Sequence, residues 1–566
     1  MEKIWLKNYP PGIPFEINPD EYQSIVDLFD RSCKSFYDDP AFYNLGTTLT
    51  FKQFDRYSQS FAAYLQKELH LKKGDRIALM MPNILQYPIS LFGALRAGLI
   101  IVNVNPLYTA SELINQLNDG GVETIIVLSN FAHTVEKALP STKLTRVIVT
   151  ELGDLFPRPK AWFIYFVLKH IKKQITPYQL PNVLHFRKML LQGKKLSFDP
   201  VPLSLKDIAF LQYTGGTTGI AKGAMLTHRN MVANILQAEA WFSQNLRKEQ
   251  EIILTALPLY HIFSLLANCL FMIKIGGLSV MITNPRDINH LIKEIRKFKL
   301  TVITGVNTLF HALLNNPAFA KLDFSALRIC LGGGMSVQRA VAEKWQAITK
   351  KPILEAYGLT ETSPCVTINP ADLLAYNGTI GLPVSSTDVC ILDNNGVELP
   401  LNTPGELAIK GPQVMLAYWQ NPQETKKVFT EKGWLLTGDI ASINEEGYVR
   451  ILERKKDMIL VSGFNVYPNE IEDVLIRLPG TLEVAVIGVP DGNSGEAVKA
   501  FIVKKDPTLT AENVLHYCRE NLTGYKVPKY IEFCKELPKT TVGKILRRAL
   551  RDSTNGPLGN IKMTDF

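Results

Sequence analysis

The residues with the most chemical potential lie together at 213–223: Tyr213, Thr214, Gly215, Gly216, Thr217, Thr218, Gly219, Ile220, Ala221, Lys222 and Gly223. Three glycines let the backbone approach a bulky anion, because no Cβ blocks the way and positive φ costs little. Successive N–H groups in such a turn form an anion-binding concavity, the threonine hydroxyls add donors, and Lys222 adds a point charge. A plain structural turn is the alternative, but three Gly, three Thr and a Lys within nine residues point to a polyphosphate. The loop is not a Walker A loop. That pattern closes on Gly-Lys and then Ser or Thr, whereas Ala221 precedes Lys222 here and Gly223 follows it.

Four further segments add chemistry. Gly332-Gly333-Gly334-Met335 follows an apolar run at 327–331 and reads as a turn with room for a flat ring. In Glu355-Ala356-Tyr357-Gly358-Leu359-Thr360-Glu361, Tyr357 offers a face for adenine, Thr360 a hydroxyl and Glu361 a hard oxygen ligand for Mg²⁺. Asp439 closes a glycine turn at 433–439, where a carboxylate can accept from two ribose hydroxyls, and Arg454 brings a guanidinium fork. Taken singly, Glu361 is surface decoration, and Lys544, beside Gly543 in a basic tail, is a solvated side chain. His261, after Leu257-Pro258-Leu259-Tyr260, is either a satisfied core residue or part of a substrate entrance.

Regular elements must hold these segments in place. The run 208–211 reads as a buried strand leading into the phosphate loop. Strand-like runs at 76–81, 124–128, 146–149, 280–282 and 301–304 alternate with amphipathic segments such as 54–69 and 289–298, which predicts parallel sheets covered by helices. From 389 to 448 the texture changes to short strands and turns, predicting a small barrel-like sheet. The charge cluster Glu453-Arg454-Lys455-Lys456-Asp457 follows one strand and precedes another at 458–461, so it is the expected boundary. This divides the chain into a large domain at 1–453, a hinge at 454–458 and a small α+β domain at 459–566, with strands at 484–488 and 500–503.

Bulk properties narrow the class. At 566 residues, 46% hydrophobic and 20% charged, the chain is long enough for at least two cores. Seven scattered cysteines without a CxxC pair argue against a disulfide framework or a zinc site and fit a reducing compartment. The first residues lack the apolar core of a signal peptide, so a cytoplasmic location is expected. The most apolar stretch, 252–283, is broken by Pro258, His261, Lys274 and Gly276-Gly277; it reads as strand, loop, buried helix and strand, since a span needs about 20 nearly uncharged residues. The net charge of +9 comes without an aromatic-interleaved basic motif, so nucleic acid is not an expected partner. A helical stripe of Phe163, Val167 and Ile171 runs beside Lys169, Lys172 and Lys173. Arg158 and Lys160 precede it, and Arg187, Lys188, Lys194 and Lys195 follow. Two readings stand: a reversible peripheral contact with the inner face of a membrane, or a surface helix docked on the core.

Taken in order, these motifs resemble the adenylate-forming (AMP-binding) superfamily of acyl-CoA synthetases, luciferases and peptide-synthetase adenylation domains. The resemblance covers residues 25–550 and is closest to long-chain fatty acyl-CoA synthetases of the bacterial type, on the loop, 257–261, 433–439 and 454–470. It implies an α/β fold: a large N-terminal domain with two doubly wound α/β subdomains and a small β-barrel-like subdomain, then a smaller mobile α+β C-terminal domain. It implies ATP-dependent activation of long-chain fatty acids through acyl-AMP, with coenzyme A as co-substrate, Mg²⁺ as cofactor and AMP and pyrophosphate as products. It also allows a homodimer.

The resemblance assigns residue roles as well. The segment from Tyr213 to Ala224, with Gly333, Gly334, Glu355, Ala356, Tyr357, Gly358, Thr360, Asp439 and Arg454, would bind ATP. Thr214 and Glu361 would hold the metal, and Lys222, Glu361 and Lys544 would be catalytic. His261, Lys456, Ser462 and Gly463 would line the acyl and coenzyme A path, with a domain rotation about Lys456. The acyl pocket is expected near 261–271 and 306–309. Two departures from the pattern are Glu453, where Gly or Asp is usual, and Ala221, where Pro is common. The rivals are a fatty acyl-AMP ligase or a medium-chain or aryl-CoA ligase of the same fold, and, in another class, a silent nucleotide- or lipid-binding regulator.

Overall fold

Two sheets, both mostly parallel, form the body of the large domain. The computed structural model describes residues 2–214, 221–492, 494–540 and 543–554. In the first sheet the strand order is Leu184–His185, Arg146–Thr150, Thr124–Leu128, Arg76–Met80, Ile100–Asn103 and Ile208–Thr214, closed by the antiparallel strand Lys222–Thr227. Its central strands are continuous apolar runs, all but free of solvent. That is the signature of a sheet covered on both faces rather than one. Helices such as Phe51–Lys67 and Gln86–Arg96 supply the cover.

The second sheet runs Pro40–Asn44, Leu278–Met281, Ile252–Thr255, Val302–Gly305, Ile329–Gly333 and Leu354–Gly358 in parallel, with antiparallel strands at both edges. The expected strand, loop, buried helix and strand over 252–283 is present, the helical part running from Ile262 to Ile275. Among the described residues no helix is long and apolar enough to cross a membrane.

The barrel-like unit is an open antiparallel meander of four strands: Asp388–Leu392, Gly405–Lys410, Leu435–Ile443 and Val449–Arg454. The ladder between its last two strands skips Leu452, since Ile440 faces Glu453 while Ala441 faces Ile451. Such a bulge resets which side chains point to which face. The smaller domain is built on the long hairpin Thr481–Asp491 and Gly495–Lys504, with Ile459–Val461, Phe464–Val466 and the parallel strand Tyr530–Cys534 beside it. Helices Pro468–Leu475 and Ala511–Asn521 cover one face.

Two local features add to these expectations. Within the charge cluster at 453–457, read in the sequence only as a boundary, Glu453 and Asp457 are buried, each facing an arginine of the helix Arg547–Thr554. The helix Arg158–Phe166 presents its apolar side outward, with Trp162 69%, Phe163 60% and, in the following turn, Ile171 64% exposed. Ala161 and Ile164 are what it sets against the core. The helix is thus docked on the core through Ala161 and Ile164, while Phe163 and Ile171 of the stripe face outward and Val167 is half-buried.

Candidate functional site

Adjacent strand ends build the site. Gly332 pairs with Glu355 and Gly333 with Ala356, so the glycine turn and the Tyr357 segment lie side by side. The strands Ile208–Thr214 and Lys222–Thr227 deliver Tyr213, Thr214 and Lys222 from the other sheet, with Thr214 opposite Lys222 in the ladder. Tyr213, Thr214, Lys222, Gly333, Ala356 and Tyr357, with Gly334, Gly358, Thr360, Glu361, Arg454, Lys456 and Lys544, line one cavity of about 840 Å³. The predicted residues Gly215, Gly216, Thr217, Thr218, Gly219 and Ile220 lie outside the described residues.

Asp439 stands behind the wall and organises it. It is 2% exposed, accepts from the Tyr357 hydroxyl at 2.5 Å and pairs with Arg454 Nε at 2.8 Å. Burial pushes its carboxyl up, and Arg454 and Tyr357 oppose that. Glu361 accepts from the Tyr418 hydroxyl at 2.6 Å. Lys222 is paired with Glu424 and lies over the Tyr418 ring, 5.3 Å from its centroid. Hydrogen bonds from Lys222 and Lys427 hold the Glu424 carboxyl down at about 2.

Lys544 reaches the cavity from the small domain. The hairpin that carries it is closed by Thr540 N–H to Lys544 O at 2.7 Å and Lys544 N–H to Thr540 Oγ1 at 3.0 Å. Gly543 has φ +83°, and a Cβ there would lie 2.3 Å from Thr308 Oγ1, so only glycine lets this turn dock. A Cβ on Gly334 would meet Lys544 Cε at 3.5 Å and Nζ at 3.9 Å. Burial, with the charge of Arg454, pulls the Lys544 ammonium down to about 8, against Asp439.

The far end of the cavity is apolar. Its wall includes Ile262, Phe263, Leu266 and Phe271, as expected, but also Ala238, Phe242 and Leu246 around the end of helix His228–Phe242. A capping box starts that helix, with Thr227 Oγ1 accepting from Asn230 N–H at 3.2 Å and Asn230 Oδ1 accepting from Thr227 N–H at 2.9 Å. The segment 306–309 sits elsewhere: Val306 packs near Gly334 and Gly543, and Thr308 abuts Gly543. His261 lines the cavity near the Lys544 charge, and burial first, then that charge, push it down to about 3. It is neutral at physiological pH.

Several predicted residues stand off the wall. Ala224 is buried in its strand, and Ala221 precedes that strand without lining the cavity. Glu355 accepts from Val337 N–H at 2.9 Å, and burial pushes it up to about 8. Ser462 and Gly463 form an exposed two-residue hairpin turn with φ +50° and +86°, away from the cavity. Tyr418, Glu424 and Glu406 were missed by sequence reasoning; Tyr418 sits in an apolar context that reads as core. Among the described residues no three His, Cys, Asp or Glu cluster as metal ligands. Glu361 and Thr214 at the phosphate end suit Mg²⁺, which keeps few protein ligands and leans on substrate phosphates.

Comparison with known proteins places this geometry. The family model described as "AMP-binding enzyme" matches residues 29–419, and "AMP-binding enzyme C-terminal domain" matches 470–544. A long-chain-fatty-acid–CoA ligase of Escherichia coli O6:H1 is 56% identical over 560 residues, covering 99% of this chain and 100% of that one. The ligase of the same name from Haemophilus influenzae is 51% identical, with 98% of both chains covered. The crystal structure of the anthranilate CoA ligase AuaEII in complex with anthranoyl-AMP superposes with a TM-score of 0.83 at 25% identity, covering 95% of this chain and 99% of that one.

Proposed function

This chain belongs to the AMP-binding enzyme family, and on that premise we propose that it activates long-chain fatty acids as coenzyme A thioesters through acyl-AMP, releasing AMP and pyrophosphate. The observation that carries this is one cavity joining a hydroxyl-rich, cationic end to an apolar end, with Lys544 entering it beside Gly334.

A carboxylate is a poor electrophile, so a thiol does not attack it usefully at neutral pH. In the first step a carboxylate oxygen attacks the α-phosphorus of ATP, and the bond to pyrophosphate breaks. Three anionic centres must come together, so positioning and charge neutralisation supply the catalysis. Lys544 bridges the carboxylate and α-phosphate oxygens, Lys222 and the loop threonines hold the β- and γ-phosphates, and Tyr357 stacks on adenine. Asp439 and Arg454 take the ribose side. Glu361 and Thr214 would hold Mg²⁺, which neutralises phosphate charge when bound.

In the second step the coenzyme A sulfur attacks the acyl carbon, the bond to AMP breaks, and the thiol proton passes to solvent. Lys544 has to leave the cavity for this. The chain divides as 1–453, 454–458 and 459–566, and rotation about Lys456 would carry the Ser462-Gly463 turn toward the thiol path.

Pyrophosphate release on mixing with MgATP and palmitate, with and without coenzyme A, tests the reading. Release with thioester formation is expected. Release without thioester marks an acyl-AMP ligase, and no release marks a silent binder. Lys544→Ala should abolish adenylation yet leave thioester formation from supplied palmitoyl-AMP largely intact; equal loss of both would sink that assignment.

A second reading concerns the exposed aromatic face at 162–171. Trp162 and Phe166 stack at 5.7 Å between centroids and are both exposed, and Lys169 and Lys172 flank them. An aromatic face edged by cations suits an anionic bilayer surface.

A further inference from the structure

The strand Val449–Arg454 presents consecutive residues to two different places. Arg454 points into the cavity and pairs with Asp439, while Glu453, 1% exposed, faces the small domain. Each Glu453 oxygen is engaged there. Oε1 accepts from Arg454 N–H at 2.8 Å and lies 3.3 Å from Arg547 Nη1; Oε2 accepts from Asn469 N–H at 3.0 Å. Asn469 returns a hydrogen bond from Nδ2 to Leu452 O at 3.3 Å, using the carbonyl of the bulged residue.

Arg547 binds its own domain as well, through Nη2 to Asn469 Oδ1 and to both Glu472 oxygens, each at 2.9 Å. It stands three residues beyond Lys544. The backbone between them is fixed by the bridge of Lys539 with Ile545 and by Leu546 N–H to Pro538 O at 2.8 Å. Any displacement of Arg547 from Glu453 therefore moves the hairpin that inserts Lys544. Charge-assisted bonds of this kind, out of water, are stronger than neutral ones.

Resting on the ligase reading above, we propose that Glu453 is a positioning residue: through Arg547 and Asn469 it clamps the small domain to the meander in the arrangement that places Lys544 in the cavity. It touches no reacting atom. It favours the adenylating arrangement over any arrangement in which the small domain has turned away, and so acts on one half-reaction.

The test uses the full chain and both half-reactions: palmitate-dependent ATP–pyrophosphate exchange, and thioester formation from supplied palmitoyl-AMP and coenzyme A. Glu453→Gln keeps the size and removes the charge. It should lower the exchange kcat about tenfold, with KM for ATP within twofold and thioester formation unchanged or faster. Arg547→Gln, from the other side of the contact, should give the same split, and Glu453→Asp should restore most of the exchange rate. Parallel loss of both half-reactions, or no loss of exchange in either Gln variant, overturns the proposal. Absence of exchange in the unmodified protein would instead overturn the ligase reading.

Discussion

Tyr357 donates its hydroxyl hydrogen to Asp439 at 2.5 Å, and the same carboxylate pairs with Arg454 at 2.8 Å. One buried acid thus sets the pose of an aromatic ring and a guanidinium that arrive from different sheets. Its own burial raises the cost of losing either partner, because an unsatisfied buried oxygen costs about 1–3 kcal/mol.

Tyr357→Phe keeps the ring but strands one Asp439 oxygen. Its KM for ATP should rise about tenfold while thioester formation from palmitoyl-AMP falls less. Asp439→Asn should be worse, since it also frees Arg454. An unchanged KM in Tyr357→Phe, measured at saturating palmitate, would refute this role.

Lys544 has an ammonium that burial and Arg454 have made easy to lose, at about 8. The charged form is the one that bridges two anions. As pH rises through about 8, kcat/KM for adenylation should therefore fall, by about tenfold per pH unit beyond the inflection. His261, already neutral, should add no inflection between pH 5 and 7. A pH series on pyrophosphate release reads both, and an acidic limb near 6 that disappears in His261→Ala would contradict the second statement.

Ala238 faces the apolar end, where a larger side chain takes up acyl space. Ala238→Leu should shift the optimum toward shorter acids. Each methylene that no longer fits loses about 0.8 kcal/mol, or about fourfold in kcat/KM. A scan from C6 to C18 checks this, and a loss that is uniform across the series would count against a pocket wall at Ala238.

Trp162→Ser with Phe163→Ser should reduce co-sedimentation with vesicles of anionic phospholipid several-fold and leave pyrophosphate release with soluble octanoate unchanged. Binding of the unaltered protein should weaken with added salt, as expected for basic residues near a charged surface. Equal sedimentation of the variant and the unaltered protein would refute the contact.

Much of this arrangement is legible in the sequence. Strand-like runs alternating with amphipathic segments announce parallel sheets covered by helices, and the glycines at 332–334 read as a turn with room for a flat ring. Lys544 was legible only in company, because a Gly-Lys in a basic tail has no local signal. Other residues carried none. Tyr418 and Glu424 reach the phosphate end from a segment far along the chain, and helix His228–Phe242 is buried nearly all round, so periodicity cannot separate its cavity-facing residues from its core. The run at 453–457 reads only as a boundary, because nothing local shows that two of its acids meet arginines about ninety residues further on.

The bulge at Leu452 carries an evolutionary consequence. With Val449–Ile451 held in its ladder, removing or adding one residue before Glu453 would exchange the two faces. An acid would then point at the incoming triphosphate and an arginine at Arg547. This hairpin should therefore accept many substitutions across its descent while tolerating almost no change in length, a constraint that a catalogue of side chains alone would never reveal.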